Sequence, residues 1–233
     1  VEEKIILDDQ GNYLITAETM FRTIAASAET PDQSIATTEN ETAKASQYIP
    51  DIAVFAQWGF NTSDHIRLSA IYRSLSYRDL LTSKNHISPG WGLQLSSIWS
   101  PFRPLTLYGT VNGGAGYASL GGDWLMGQYD LVPDQEKPGK MYSPYVIGGY
   151  FGVQYNITPS VFLSGTFGGT RYCPKYAMEK HEYKEGLYMA ANVYWYLTPR
   201  ISCGAEIDLG RRKDADGSTR WAHRLNAMAQ FSF

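Results

Sequence analysis

Between Arg220 and Phe233 the residue types alternate without a break. Trp221, His223, Leu225, Ala227, Ala229, Phe231 and Phe233 fill one set of positions, and Arg220, Ala222, Arg224, Asn226, Met228, Gln230 and Ser232 fill the other. Successive side chains of a strand point to opposite faces, so the pattern predicts a strand with one apolar and one polar face. The same alternation, or a weaker form of it, recurs over 20–29, 50–60, 64–77, 88–100, 104–117, 145–157, 159–172, 184–197, 200–212 and 220–233. Within these segments Ile66, Leu68, Ala70 and Tyr72 oppose Arg67, Ser69 and Arg73, while Leu93 and Leu95 oppose Gln94 and Ser96. Leu187, Met189, Ala191, Val193 and Trp195 oppose Tyr188, Asn192, Tyr194 and Tyr196; Ile201, Cys203, Ala205, Ile207 and Leu209 oppose Ser202, Gly204, Glu206 and Asp208.

The connections sort by length. Tight turns are predicted at 61–64, 100–104, 156–160 and 197–200, where Asn, Pro and Ser supply turn chemistry. Longer loops are predicted at 30–49, 78–87, 118–144, 173–183 and 213–219. Short turns on one side and long loops on the other are the arrangement of a transmembrane antiparallel β-barrel in a bacterial outer membrane, with the turns in the periplasm. Trp58, Trp99, Tyr155 and Trp195 fall near the turn ends, with Phe233 at the chain's end; Trp91 and Trp221 fall near the loop ends. Two such aromatic belts are expected at the two membrane interfaces. Lys4–Asp8 and Tyr13–Thr19 are read as a short hairpin, which raises the count to about twelve strands, an even number as closure requires.

Composition narrows the alternatives. Of 233 residues, 43% are hydrophobic and 14% aromatic, yet no apolar run is long enough for a membrane helix. A barrel shows this mixture because only alternate residues face lipid. Val1-Glu2-Glu3-Lys4 lacks the features of a secretory leader, so a mature form or a fragment is expected. The net charge of −3 offers no basic stripe for nucleic acid. Two cysteines, Cys173 and Cys203, give no disulfide framework, and four scattered histidines give no metal-ligand spacing. No cofactor or metal is expected. The glycines at 109, 113, 114, 116, 121 and 122 lack the Gly-Lys-Ser/Thr of a phosphate loop. Asn85-His86-Ile87-Ser88 resembles the His-x-Ser of outer-membrane phospholipases, but nothing in the sequence orients a base toward the hydroxyl.

Charges sorted by face supply the candidate chemistry. Arg67, Arg73, Arg212, Arg220 and Arg224 fall on the polar face against Glu206 and Asp208, whereas Glu29, Asp32, Glu39, Glu41, Asp123, Asp130, Asp134 and Glu136 fall in loops. The wall of the lumen is therefore expected to be net positive and to favour anions. Arginine also grips carboxylates through two parallel hydrogen bonds, which suits a weak site for organic acids. A structural ladder of neutralised arginines is the alternative. The long segment 118–144, with Trp124, Met126 and Tyr129, is expected to fold inward as a constriction, with an ornament on the outer surface as the alternative.

From Ile49 onward the chain resembles the DcaP-like outer-membrane porins. The likeness is carried by Ile-Pro-Asp (49–51), His-Ile-Arg-Leu-Ser (65–69) running into Tyr-Arg-Ser-Leu-Ser-Tyr-Arg-Asp, Gly-Trp-Gly-Leu-Gln-Leu-Ser (90–96) and Asn-Gly-Gly-Ala-Gly-Tyr (112–117). It is strongest at Gly-Ala-Glu with Leu-Gly-Arg-Arg (204–212) and the final Arg-Leu-Asn-Ala-Met-Ala-Gln-Phe-Ser-Phe. On this reading 1–233 is one barrel domain, with 1–48 atypical and 49–233 porin-like. The resemblance implies the C-terminal part of a larger, homotrimeric barrel of about sixteen strands. It also implies passive uptake of small solutes such as dicarboxylates, through a wall including Arg67, Arg73, Glu206, Asp208, Arg212 and Arg224. Its partners would be the lipid bilayer, lipopolysaccharide and small anionic solutes. The competing readings are a lipid-modifying barrel enzyme using His86 and Ser88, and a structural or adhesive barrel with a plugged interior.

Overall fold

The computed structural model describes residues 2–7, 13–19, 22–29, 43–45, 49–60, 63–125 and 128–233. Among them the strands are β1 (Glu2–Leu7), β2 (Tyr13–Thr19), β3 (Arg22–Glu29), β4 (Ala43–Ala45), β5 (Asp51–Gly59), β6 (His65–Asp79), β7 (Lys84–Phe102) and β8 (Leu105–Ala115). A 3-10 helix, Ala118–Leu125, follows, and then come β9 (Val132–Pro133), β10 (Met141–Tyr142), β11 (Tyr145–Thr158), β12 (Val161–Cys173), β13 (Tyr183–Thr198), β14 (Ile201–Asp214) and β15 (Thr219–Phe231). Twelve strands run in chain order through one antiparallel sheet, β1-β2-β3-β5-β6-β7-β8-β11-β12-β13-β14-β15. β4 joins it beside β6, and β9 and β10 form a separate ribbon. β1 and β15 end the sheet, and no pairing between them occurs among the described residues. No described helix is long and apolar enough to cross a membrane.

The register keeps like with like. One cross-strand row reads Gln154, Ser164, Asn192, Glu206 and Asn226; another reads Phe151, Phe167, Met189, Leu209 and His223. A slip of one residue in any strand would put amides among phenyl rings, so the alternation fixes the pairing. The apolar set (Leu68, Tyr72, Leu93, Leu95, Ile147, Phe151, Phe167, Ile207 and Leu225 among others) is exposed over the whole face. In water such a surface would be far larger than any soluble monomer carries. In hydrocarbon it is the favourable surface.

What core exists lies on the opposite, polar face. Leu75, Tyr77, Leu131 and Met141 form one buried cluster, and Ala118, Val146 and Tyr172 form another. Both pack residues of the 116–144 segment against strands of the sheet. Gly116 permits the return of the chain there: its φ is +63°, and a Cβ would lie 2.4 Å from Leu75 Cδ1. The predicted loop at 78–87 is a correction. β6 continues to Asp79 and β7 begins at Lys84, because Asp79 closes a tight turn by accepting hydrogen bonds from Leu81 N and Thr82 Oγ1 at 2.9 and 2.6 Å. The 213–219 connection is likewise shorter than expected, spanning 215–218.

Gly114 marks the tightest strand contact, where a Cβ would meet the Trp91 carbonyl oxygen at 2.0 Å and Gly92 Cα at 2.6 Å. Gly114→Ala is therefore expected to prevent correct β7–β8 pairing. The check is the yield of compact, heat-resistant protein on unboiled gels after refolding in detergent; a yield equal to wild type would contradict the tight approach.

Candidate functional site

The polar face of β12–β15 carries a continuous chain of hydrogen bonds. Ser164 Oγ donates to Asn192 Oδ1 at 2.8 Å, and Asn192 Nδ2 donates to Glu206 Oε2 at 3.2 Å. Asn226 Nδ2 bridges Glu206 Oε1 at 3.2 Å and Asp208 Oδ2 at 2.8 Å. Asp208 also accepts from Tyr188 OH at 2.7 Å and from Arg224 Nε at 2.8 Å. Alternation creates this network: most of the polar residues on four neighbouring strands share one parity, and the common register lines them up. Among the described residues the opposite face of β12–β15 has no such network until the loop ends of the strands.

The cations and carboxylates of this ladder differ in their access to water. The Asp208 side chain is 6% exposed and that of Arg224 67%. The same holds one step outward, where Asp214 (1%) is paired with Arg212 at 2.6 Å and with Arg220 (66%) at 3.6 Å. Arg67, on β6, has a neutral partner: its Nε donates to Gln57 Oε1 at 2.8 Å, and its guanidinium lies 4.5 Å from the Phe55 ring centroid. Among the described residues no carboxylate lies within ion-pair distance of Arg67.

Arg73 departs from expectation. It lies on the polar face as predicted, but its side chain is wholly buried. Its Nε donates to Asp51 Oδ2 at 2.8 Å, and its Nη1 donates to the Gly116 carbonyl and to Ser119 Oγ, each at 2.9 Å. Asp130 Oδ2 is 3.3 Å from the same Nη1, and Asp130 Oδ1 accepts from Ser119 N at 3.0 Å. Arg73 therefore pins the 116–144 segment to the sheet and is not a cation open to solvent. Asp130, assigned to an outer loop from sequence, is part of the wall. The missed partners Asp51, Asp130 and Asp214 also change the charge balance of the face from five arginines against two carboxylates to five against five.

The 116–144 segment is held at further points. Met141 N donates to Tyr77 OH at 2.9 Å, Tyr172 OH donates to the Tyr129 carbonyl at 3.1 Å, and Ser88 and Ser143 share a hydroxyl hydrogen bond at 3.0 Å. One signal of this was visible in the sequence. Ile71, Leu75 and Tyr77 are apolar positions on the polar side of β6, and an apolar residue there needs a cover. Of the predicted constriction residues, Tyr129 is exposed, while Met126 and the side chain of Trp124 lie outside the described residues. So do Asp32, Glu39, Glu41 and the side chains of Glu29 and Asp123.

His86 and Ser88 do not form a nucleophile–base pair. Ser88 bonds to Ser143, and His86 Nδ1 lies 3.2 Å from Lys140 Nζ. No cluster of potential metal ligands occurs among the described residues. Trp58, Trp91, Trp99, Trp195, Trp221 and Phe233 are all exposed on the apolar side or at the chain's end.

A one-way antiparallel meander, greasy on one face and hydrogen-bonded on the other, is the architecture of porin-type transmembrane barrels. Comparison with solved structures shows the same fold. The outer membrane channel DcaP of Acinetobacter baumannii superimposes with a TM-score of 0.78 at 16% identity, covering 95% of this chain and 62% of that one. A porin refined at 1.8 Å superimposes with a TM-score of 0.57 at 14% identity, covering 95% and 61%. The chain thus spans less than two thirds of the length of either. No family model and no curated protein matches its sequence.

Removing one member of a buried ionic cluster while leaving the others costs about 3–5 kcal/mol. Arg73→Met is therefore expected to release the 116–144 segment, read as new protease cleavage within it while the rest of the sheet stays resistant; an uncut segment would contradict the pinning role. A second tie depends on pH. The Tyr176 hydroxyl, bonded to Asp134, holds that loop carboxyl below its usual range, and Lys175 is pushed up by its bonds to Glu136 and Tyr176. A depressed carboxyl stabilises above its unfolded value, about 3.9, and is lost as pH falls through the lower folded one. This outer-loop contact is expected to persist from neutral to mildly acidic pH and to open only in stronger acid, followed by the pH profile of loop proteolysis.

Proposed function

We propose that the sheet lines a water-filled diffusion channel in the outer membrane of a Gram-negative bacterium, and that small anionic solutes, carboxylates foremost, pass along its polar face. The observation that carries this reading is the layering of the ladder: carboxylates are tucked against the wall while the guanidinium groups of Arg220 and Arg224 face outward. A passing ion meets the cation first although the pairs are balanced in number. Arg67 adds a charge whose partner is a neutral amide. In a confined, partly desolvated passage such groups act on an ion more strongly than in bulk water. Passage requires no covalent step. The exposed tryptophans and Phe233 then serve as anchors at the two membrane interfaces.

One observation favours a second reading. The 116–144 segment covers part of the polar face with apolar contacts, which in a structural barrel would close the interior. Absence of conductance in planar bilayers would select that reading.

Single-channel recordings under a salt gradient test the anion preference. Arg67→Gln together with Arg224→Gln is expected to lower the anion-to-cation permeability ratio by about twofold or more, and Asp208→Asn to raise it. Reversal potentials unchanged in both variants would overturn the assignment.

A further inference from the structure

The apolar face of β12–β14 carries a cluster of charge near the loop ends of its strands. Arg171, Glu185 and Lys213 stand in the same cross-strand row, and Arg211 stands in the adjacent row with Leu187 and Trp221. On β13 from Glu185 onward, past a register shift at Tyr183, and on β12, β14 and β15, the odd-numbered residues point to the exposed apolar side, together with Phe167, Val193, Ile207 and Leu225. These four side chains therefore project from the same side of the sheet as the apolar belt. Glu185 lies 3.6 Å from both Arg171 and Lys213, which leaves an excess of two positive charges. The Nε of Arg211 is buried and has no hydrogen-bond partner among the described residues.

Strand length places this cluster relative to the bilayer. β13 has 16 residues and is therefore about 53 Å long, or roughly 38 Å along the membrane normal at the usual tilt. The apolar band of such barrels is only about 25 Å tall. The last two or three residues at the loop end of β13, and the residues registered against them on β12 and β14, thus lie beyond the hydrocarbon, at headgroup level. Arg171 is two residues from the loop end of β12, Glu185 two from that of β13, and Lys213 one from that of β14. Below them, Gly149 and Gly169 occupy the row of Arg211, and a cavity of about 380 Å³ opens between Ile147, Gly169, Arg171, Leu187 and Arg211.

We propose that Arg171, Arg211 and Lys213 bind a phosphate of a phosphorylated glycolipid in the outer leaflet, with an acyl chain lying along the glycine-lined groove beneath. The inference rests on the outer-membrane placement above. Guanidinium and ammonium groups favour a multiply charged phosphate, and each basic residue at a membrane surface strengthens such an attachment severalfold. Trp221 beside Arg211 is suited to the same interfacial depth, and Glu185 limits the affinity.

The test is retention of bisphosphorylated lipid A by the intact protein in detergent, measured by native mass spectrometry beside its dephosphorylated form and inorganic phosphate. Wild type is expected to retain the bisphosphorylated lipid and neither of the other two. The triple variant Arg171→Ala, Arg211→Ala, Lys213→Ala is expected to lose about tenfold or more of that retention, and Glu185→Gln to gain. Equal retention by the triple variant, equal binding of the dephosphorylated lipid, or saturation by inorganic phosphate alone would overturn the proposal. So would a change confined to association between copies of the chain. Should the triple variant fail to refold, Glu185→Gln decides, and unchanged retention counts against the site. Conductance recorded on the same preparations separates the two readings: a silent wild type would sink the channel and leave the lipid result standing.

Discussion

A strand exposed to hydrocarbon cannot leave its polar side chains there, and the whole structure follows from that exclusion. All members of the network from Ser164 through Asn192, Glu206, Asn226 and Asp208 to Arg224 lie on one face because the other face has no water to offer them. The usual logic of a soluble protein is inverted. The oily residues are exposed, and the buried clusters of Leu75 with Leu131 and of Val146 with Tyr172 lie on the polar side.

Most of the fold was legible because a barrel writes its architecture with a period of two. The segments predicted from alternation at 145–157, 159–172, 184–197 and 200–212 coincide with β11 to β14 to within about two residues. The hairpin predicted at Lys4–Asp8 and Tyr13–Thr19 coincides with β1 and β2, and the count of twelve strands holds along the sheet. The exception at 78–87 is instructive. Its polar composition reads as a loop, but extra-membrane extensions of two strands have the same composition, and only the Asp79 turn distinguishes them.

The site was legible in its residue types and less so in its pairings. Arg67, Glu206, Asp208, Arg212 and Arg224 could be assigned to the polar face because parity alone decides it. Asp130 could not be joined to Arg73 by parity, since it comes from an irregular segment 57 residues away, whereas Asp51 shares the face of Arg73 and adjoins the registered pair of Ile52 and Tyr72. The contact of Arg73 with Asp130 depends on a chain reversal at Gly116, a tertiary event that alternation does not encode. The clustering of Arg171, Arg211 and Lys213 escaped for the opposite reason. Each looks like an ordinary strand-end charge, and only the register sets Arg171 and Lys213 beside Glu185, with Arg211 in the adjoining row.

The free margin of β15 has a bearing on how such a sheet comes to exist at all. Along that margin the main chain has one hydrogen-bonded neighbour, β14, among the described residues. Amide groups left open to acyl chains cost several kcal/mol apiece, so a sheet of this kind cannot first enter the bilayer and later find its last companion. Sealing of the margin and passage into the membrane must be one concerted event.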